Sequence, residues 1–192
     1  MATDDATPTA ARARVSVRAL LLVGVVAVTV FLLDQGAKAL VLANLEYGEI
    51  VPFIGELVKL HLVSNPGAAF SIGAGSTWIF AILASLVVVA LVIFSGRIRS
   101  LGWACVFGLL LGGTTGNLFD RLFREPGFGV GHVVDFFQLY AFPAIFNVAD
   151  IGITSAMTLF IILTLRGINL DGTRTLRSKK KPVEADAPTD TP

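Results

Sequence analysis

Two aspartates stand where carboxylates are costly to keep. Asp135 lies within the apolar stretch Val133-Val134-Asp135-Phe136-Phe137, and Asp150 opens the run Ile151 to Leu165, which can only be a membrane span or a buried helix. An ionisable side chain in such surroundings is a functional candidate by default. Two carboxylates brought close together cannot both ionise easily, so one keeps a proton while the other is a base. Such a pair can activate a water and protonate a departing amine, the logic of aspartyl peptide hydrolysis, with apparent pKa values that belong to the pair. Rival hydrolytic chemistries lack their residues: the chain has no His-Glu-x-x-His helix for zinc and no Gly-x-Ser-x-Gly elbow. His132 is close to Asp135 in sequence and can tune it, but without a second His or Cys partner no metal site is expected, and no cofactor.

Other polar residues recur in apolar surroundings. Asp34 and Lys38 are four residues apart, so they share a helix face and can form a structural ion pair, with Gln35 as a further donor or acceptor. Asn117, Asp120 and Arg121 follow Gly112-Gly113-Thr114-Thr115-Gly116, whose glycines allow close helix packing, and they predict a hydrogen-bonded and ionic clasp at a helix end. A phosphate loop is a poor reading of these glycines, because the Gly-Lys-Ser/Thr element is missing. Asn147 is placed to cap the helix that carries Asp150 in its first turn, where the dipole favours a carboxylate. Capping and chemistry can coexist there.

The elements that must position these groups are apolar. The 192 residues are 54% hydrophobic and 15% charged, with a mean hydropathy of +0.76. These values predict an all-α integral membrane protein of four transmembrane helices, with a small outward sheet and an interfacial loop or helix. The net charge of +1 implies no nucleic-acid partner, and the single Cys105 excludes an internal disulfide or a cysteine-based metal cluster. Spans are expected at 19–42, 77–96, 101–118 and 145–166, joined by segments 43–76, 97–100 and 119–144 and flanked by tails 1–18 and 167–192. The polar ends, 1–11 and 171–192, read as disordered.

Arginines and lysines cluster before the first span, at 97–100 and after the fourth, which places both termini and the short middle loop in the cytoplasm. A cleavable leader ending near Ala37-Lys38-Ala39 is the rival reading, but Asp34 and Gln35 interrupt it, and a retained span gives a consistent topology. Counted from the basic ends, Asp34 lies about 24 Å along its helix, Asp150 about 24 Å and Asn117 about 27 Å, at 1.5 Å per residue. Three helices thus present polar groups at one level, just inside the outer surface.

In the first outer loop, Lys59 and His61 alternate with Val58, Leu60 and Leu62, a period of two that predicts a strand. Asn65-Pro66-Gly67 supplies a turn, and Ala68–Ile72 is expected to return as a second strand. The second outer loop, with Phe128, Phe136, Phe137 and Tyr140, suits an interfacial element lying on the membrane as a lid.

Five motifs carry a family resemblance. Asp34-Gln35-x-x-Lys38, Asn65-Pro66-Gly67-Ala68-Ala69-Phe70-Ser71, Gly112-Gly113-x-x-Gly116-Asn117-x-x-Asp120-Arg121, Val133-Val134-Asp135-Phe136 and Phe146-Asn147-x-Ala149-Asp150 resemble, in order, the signature blocks of the lipoprotein signal peptidases. The resemblance implies an aspartyl endopeptidase of the bacterial inner membrane, with its sheet and lid loop in the periplasm and its active site near the outer face. It would remove the signal peptide from diacylglyceryl-modified prolipoproteins, cleaving before the lipidated cysteine. It further implies Asp135 and Asp150 as the catalytic dyad. Asp34, Lys38, Asn65, Gly67, Asn117, Asp120, Arg121 and Asn147 would shape or support the site. Lipid-modified prolipoproteins and membrane lipids are the implied partners, and cyclic peptides such as globomycin the implied inhibitors. The connection from Asp135 to Asp150 looks short for the family. Two other classes stay open on the residues alone: a small proton-coupled transporter using Asp34, Lys38 and Asp150 as a relay, and a scaffold whose acids only cap helices. Against the transporter, the polar groups gather near one surface rather than the midplane.

Overall fold

The computed structural model describes residues 15–67 and 76–175. Four helices, α1 (Val17–Asn44), α2 (Thr77–Ser95), α3 (Leu101–Phe123) and α4 (Val148–Leu165), are long and apolar enough to cross a membrane. Four strands, β1 (Ile50–Ile54), β2 (Val58–Asn65), β3 (Val133–Leu139) and β4 (Ile145–Phe146), form one antiparallel sheet in that order. The sheet sits where α1 and α3 end and where α2 and α4 begin.

The helices divide their surface between protein and lipid. Along α1 the buried residues are Ala19, Val23, Ala27, Val30, Asp34, Lys38 and Val41, a stripe with steps of three and four that follows one face. Leu21, Val25, Val28, Leu32 and Leu33 point away and remain exposed, as lipid-facing residues do. Glycines let α3 lie at the centre of the bundle, packed against α1, α2 and α4. A Cβ at Gly112 would stand 2.6 Å from the Ala27 carbonyl of α1, and one at Gly113 would stand 2.5 Å from the Ala149 carbonyl of α4. Small residues are the means by which helices approach closely where lipid offers no hydrophobic drive for them to associate.

The sheet differs from the sequence expectation. Residues 68–72, expected as the second strand, lie outside the described residues; among the described residues β2 pairs with β1 and β3. The aromatic segment expected as a loop or lid over 119–144 contains the end of α3, then β3 and β4. β3 gives no strand signal because it shows no apolar–polar alternation: Val134 and Phe136 pack with Leu62 and Val41 on one side, while Val133 and Asp135 are buried on the other. A strand covered on both faces gives a continuous apolar run that periodicity cannot separate from other structure.

The third span runs five residues past its expected end, because the polar side chains of its last turns find partners inside the protein (below). The last span is shorter at its start, where Ile145 and Phe146 pair with β3 before Asn147 caps α4. Residues 171–175, expected as disordered, are part of a hairpin that follows α4, with Ile168 bridged to Arg174. α1 continues unbroken through Ala37-Lys38-Ala39, with Lys38 fully buried.

Gly112→Leu is expected to force α1 and α3 apart and to lower stability by about 1–3 kcal/mol. Gly24→Ala, where a Cβ meets nothing within 4 Å, should leave the apparent melting temperature in detergent unchanged or slightly higher. Equal melting of the two variants would show that close approach at Gly112 is not needed.

Candidate active site

The polar groups meet at the junction of bundle and sheet. Deepest is Lys38, fully buried, whose Nζ lies 2.8 Å from Asp34 Oδ2 and 2.7 Å from Asp120 Oδ2 and donates to Asn117 Oδ1 at 3.1 Å. Those three partners use all three ammonium protons. Asp34 Oδ1 accepts from the Ala149 amide at 2.9 Å, which ties α1 to the first turn of α4. Asp120 also pairs with Arg124 Nε at 2.6 Å and accepts from the Val134 amide at 3.2 Å, which ties α3 to β3. Gln35 closes the group, donating to Asp120 Oδ1 at 3.2 Å and accepting from Arg124 Nη2 at 3.2 Å.

Asn117, Asp120 and Arg121, expected as a hydrogen-bonded and ionic clasp at the helix end, all make polar contacts there, but Asp120 and Arg121 do not pair with each other. Successive helical residues do not face each other. Asp120 turns inward to Lys38, whereas Arg121 turns to the sheet end and donates to the Gly67 carbonyl at 3.0 Å and the Asn117 carbonyl at 3.1 Å. Arg124 takes the place expected of Arg121. It lies four residues after Asp120, a spacing that signals an ion pair only once α3 is known to continue that far.

From this base a chain of amides leads to the two candidate acids. Asn117 Nδ2 donates to Asp150 Oδ1 at 2.9 Å. Asn147 Nδ2 donates to Asp135 Oδ1 at 2.6 Å and to Asn117 Oδ1 at 3.0 Å. Asn65 Nδ2 donates to Asp135 Oδ2 at 2.8 Å, while its Oδ1 accepts from the Gly67 amide at 3.0 Å, so turn stabilisation and contact with the acid are combined in one residue. Asn147 and Asp150 also form a reciprocal capping box: the Asp150 amide donates to Asn147 Oδ1 at 3.0 Å and the Asn147 amide to Asp150 Oδ2 at 3.1 Å. Capping and site geometry therefore coexist in the same two side chains.

Both histidines are elsewhere. His132 Nδ1 meets Ser64 Oγ at 2.8 Å and His61 Nδ1 meets Gln138 Oε1 at 3.2 Å, so the structure gives His132 no contact with Asp135.

Burial first, and then the nearby charge of Asp150, push the Asp135 carboxyl up to about 6, against the opposing effect of hydrogen bonds from Asn65 and Asn147. A cavity of about 570 Å³ opens onto both acids. Asn65, Gly67, Asn117 and Arg121 form its polar wall, and Phe142, Ile145, Phe146 and Ile151 are among its apolar lining. That lining was not foreseen from the sequence, because it depends on the unanticipated β3–β4 pairing.

Four helices long and apolar enough to cross a membrane, with a sheet at their ends, bring two carboxylates to one cavity, an arrangement that is chemically able to do aspartic peptide hydrolysis. A family model described as signal peptidase (SPase) II matches residues 26–166. The chain belongs to the signal peptidase II family. It is 58% identical over 163 residues to a lipoprotein signal peptidase of Leifsonia xyli, covering 85% of this chain and 76% of that one. To a lipoprotein signal peptidase of Rhodococcus jostii it is 46% identical, covering 89% and 86%. A solved structure titled as a bacterial membrane enzyme is similar with a TM-score of 0.64 and 29% identity, covering 77% of this chain and 87% of that one.

Lys38→Met would leave Asp34 and Asp120 buried without their shared cation and should cost about 3–5 kcal/mol, read as a lower melting temperature. Adding Asp34→Asn should recover part of the loss. The pH dependence has a defined sign. A carboxyl whose native pKa is above its usual 3.8 imposes a cost that is full above about pH 6 and is relieved as pH falls toward 3.8. Asn65→Ala removes a bond that favours the ionised form, so the limb of the kcat/KM profile near pH 6 should move to higher pH. A limb that stays in place would separate it from Asp135.

Proposed function

We propose that Asp135 and Asp150 are the catalytic dyad of this peptidase and that its substrates are lipid-modified prolipoproteins, cleaved before the modified cysteine. The carrying observation is the amide bridge Asp135–Asn147–Asn117–Asp150, which holds two acids from β3 and α4 at the mouth of one cavity. Arg121 is the cation at the cavity wall beside them, while Lys38, whose charge also acts on Asp135, and Arg124 are paired with Asp34 and Asp120. One positive charge against two acids favours a state in which the pair holds a single proton.

In the reaction we infer, the ionised carboxylate takes a proton from a water as that water attacks the scissile carbonyl. The protonated carboxyl gives its proton to the carbonyl oxygen; as the tetrahedral species collapses, the first acid passes the water-derived proton to the departing amine and the second takes back the hydroxyl proton, so the pair again holds one proton. The substrate's acyl chains and apolar signal helix remain in the bilayer while the bond to be cut reaches the sheet end. Asp34, Lys38 and Asp120 are positioning residues in this reading, since they act through Asn117, Ala149 and Val134. Asn65, Gly67, Asn117, Arg121 and Asn147 shape the cavity.

The sheet end then faces the periplasm, with both termini in the cytoplasm and the bundle in the bacterial inner membrane. Cyclic peptides such as globomycin would occupy the same cavity. Family membership leaves the transporter and scaffold readings without support.

Asp135→Asn and Asp150→Asn should each lower cleavage of a lipidated precursor by at least about 10²–10⁴-fold while the protein stays folded. The same precursor without its diacylglyceryl group should be a poor substrate for the unaltered chain. Near-normal cleavage by either variant would remove that residue from the dyad, and equal cleavage of both precursors would remove the lipid from substrate recognition.

A further inference from the structure

The end of the bundle away from the active site carries a charge pattern that the peptidase chemistry does not use. Arg18 stands at the start of α1, Arg97 and Arg99 between α2 and α3, and Arg166 and Arg174 after α4. All five are exposed, and none is in an ion pair among the described residues. Asp171 is the single carboxylate in the described segments at that end. Topology alone accounts for basic residues in these loops, but not for the structure built around them.

That structure is the hairpin after α4. The Asn169 amide donates to Thr173 at 2.9 Å and the Thr175 amide to Gly167 at 2.9 Å, and Asp171 Oδ1 accepts from the Thr173 amide at 2.9 Å and from its hydroxyl at 2.7 Å. The hairpin is fastened to the α2–α3 turn by the Arg99 and Ser100 amides, which donate to the Leu170 carbonyl at 2.9 and 3.0 Å. It is fastened to α3 by the Trp103 indole, which donates to the Ile168 carbonyl at 2.8 Å. Most of it lies beyond the residues that the family model matches.

Between hairpin and helices is a cavity of about 640 Å³ whose lining includes Arg97, Trp103, Thr164, Asn169 and Thr175, and also the Asp171 carboxylate, which is turned to the Thr173 amide and hydroxyl. Arg97 is held at its wall, with the guanidinium 4.9 Å from the centre of the Phe94 ring. Arg166 adjoins the lining residue Gly167 and Arg174 adjoins Thr175, while the Arg99 amide is bonded to Leu170. Arg97 in the lining and three arginines attached next to lining residues outnumber the one carboxylate there, Asp171, around a space that also offers hydroxyl and amide groups. It lies at the helix ends, which is the level of the lipid headgroups.

We propose that this cavity binds the headgroup of an anionic phosphoglyceride, with Arg97 on the phosphate and Arg99, Arg166 and Arg174 supplying the surrounding positive potential. Guanidinium is suited to phosphate by its planar, forked donors. A bilayer lipid is favoured over a soluble anion because the acyl chains have a place beside the spanning helices. The bound lipid would link α2 to α4 at the end opposite the buried ionic cluster of Asp34, Lys38 and Asp120.

The test uses the full chain in nanodiscs of phosphatidylcholine doped with phosphatidylglycerol, with retained lipid counted by mass spectrometry after extraction into mild detergent. The unaltered protein should retain phosphatidylglycerol over phosphatidylcholine. Arg97→Gln should weaken that retention several-fold, and the triple variant Arg97→Gln/Arg166→Gln/Arg174→Gln by about tenfold or more. Lys59→Gln, at the sheet end, should retain phosphatidylglycerol as the unaltered chain does. All variants should melt alike in phosphatidylcholine alone, which separates lost binding from lost fold. Unchanged retention by the triple variant, or no preference for the anionic lipid, overturns the proposal. Displacement of the lipid by millimolar inorganic phosphate would overturn it in favour of a soluble anion.

Discussion

A single ammonium group organises this molecule. Lys38 is buried between Asp34 and Asp120, and each of its three protons has a partner, one on α1 and two on α3. Removing charges from water is costly, and an arrangement like this is tolerable only when every charge is matched and every proton bonded. The cost is met by geometry that reaches beyond the trio. Asp34 holds the first turn of α4, Asp120 holds the backbone of β3, and Asn117 holds Asp150. Three elements that carry the candidate acids or their supports are therefore referenced to one atom. Low dielectric surroundings strengthen such bonds and make each unpaired member expensive, so the arrangement is unique rather than one of several.

Close helix contact makes this possible. A Cβ at Gly116 would lie 2.6 Å from Asp34 Oδ2, so the absent side chain is the space the carboxylate occupies. Hydrophobicity cannot choose between helix pairings in lipid, whereas small residues beside polar partners can. The glycines of α3 and the charges of α1 thus specify the same pairing in two ways.

Much of this was legible in the chain. Asp34 and Lys38 show their pairing by spacing, and Asn147 its place as the cap of the helix that carries Asp150. Depth counting brought Asp34, Asn117 and Asp150 to one level, and the structure joins them through Lys38, Ala149 and direct hydrogen bonds. What was not legible has a common cause. The end of α3 and the whole of β3 are places where tertiary partners satisfy groups that look unsatisfied, or cover a face that looks exposed. Arg124 reads as a loop residue, and Asp120 lacks its lysine, until their partners on α1 are known. Val133 to Leu139 reads as an interfacial loop until β2 and β4 are placed beside it.

The amides of Asn65, Asn117 and Asn147 have a consequence for the catalytic cycle proposed above. A carboxylate held by lysine or histidine shares its proton with its support, and the support changes character when the proton moves. Side-chain amides keep their protons across the whole physiological range. Their grip on the two acids is made through N–H donors and is not exchanged for another when a proton passes from one oxygen to the other. The frame around the water and the scissile bond is then the same at the start of a turnover as at its end. Such an enzyme can begin its next cycle as soon as the products have left, without a reset of its own.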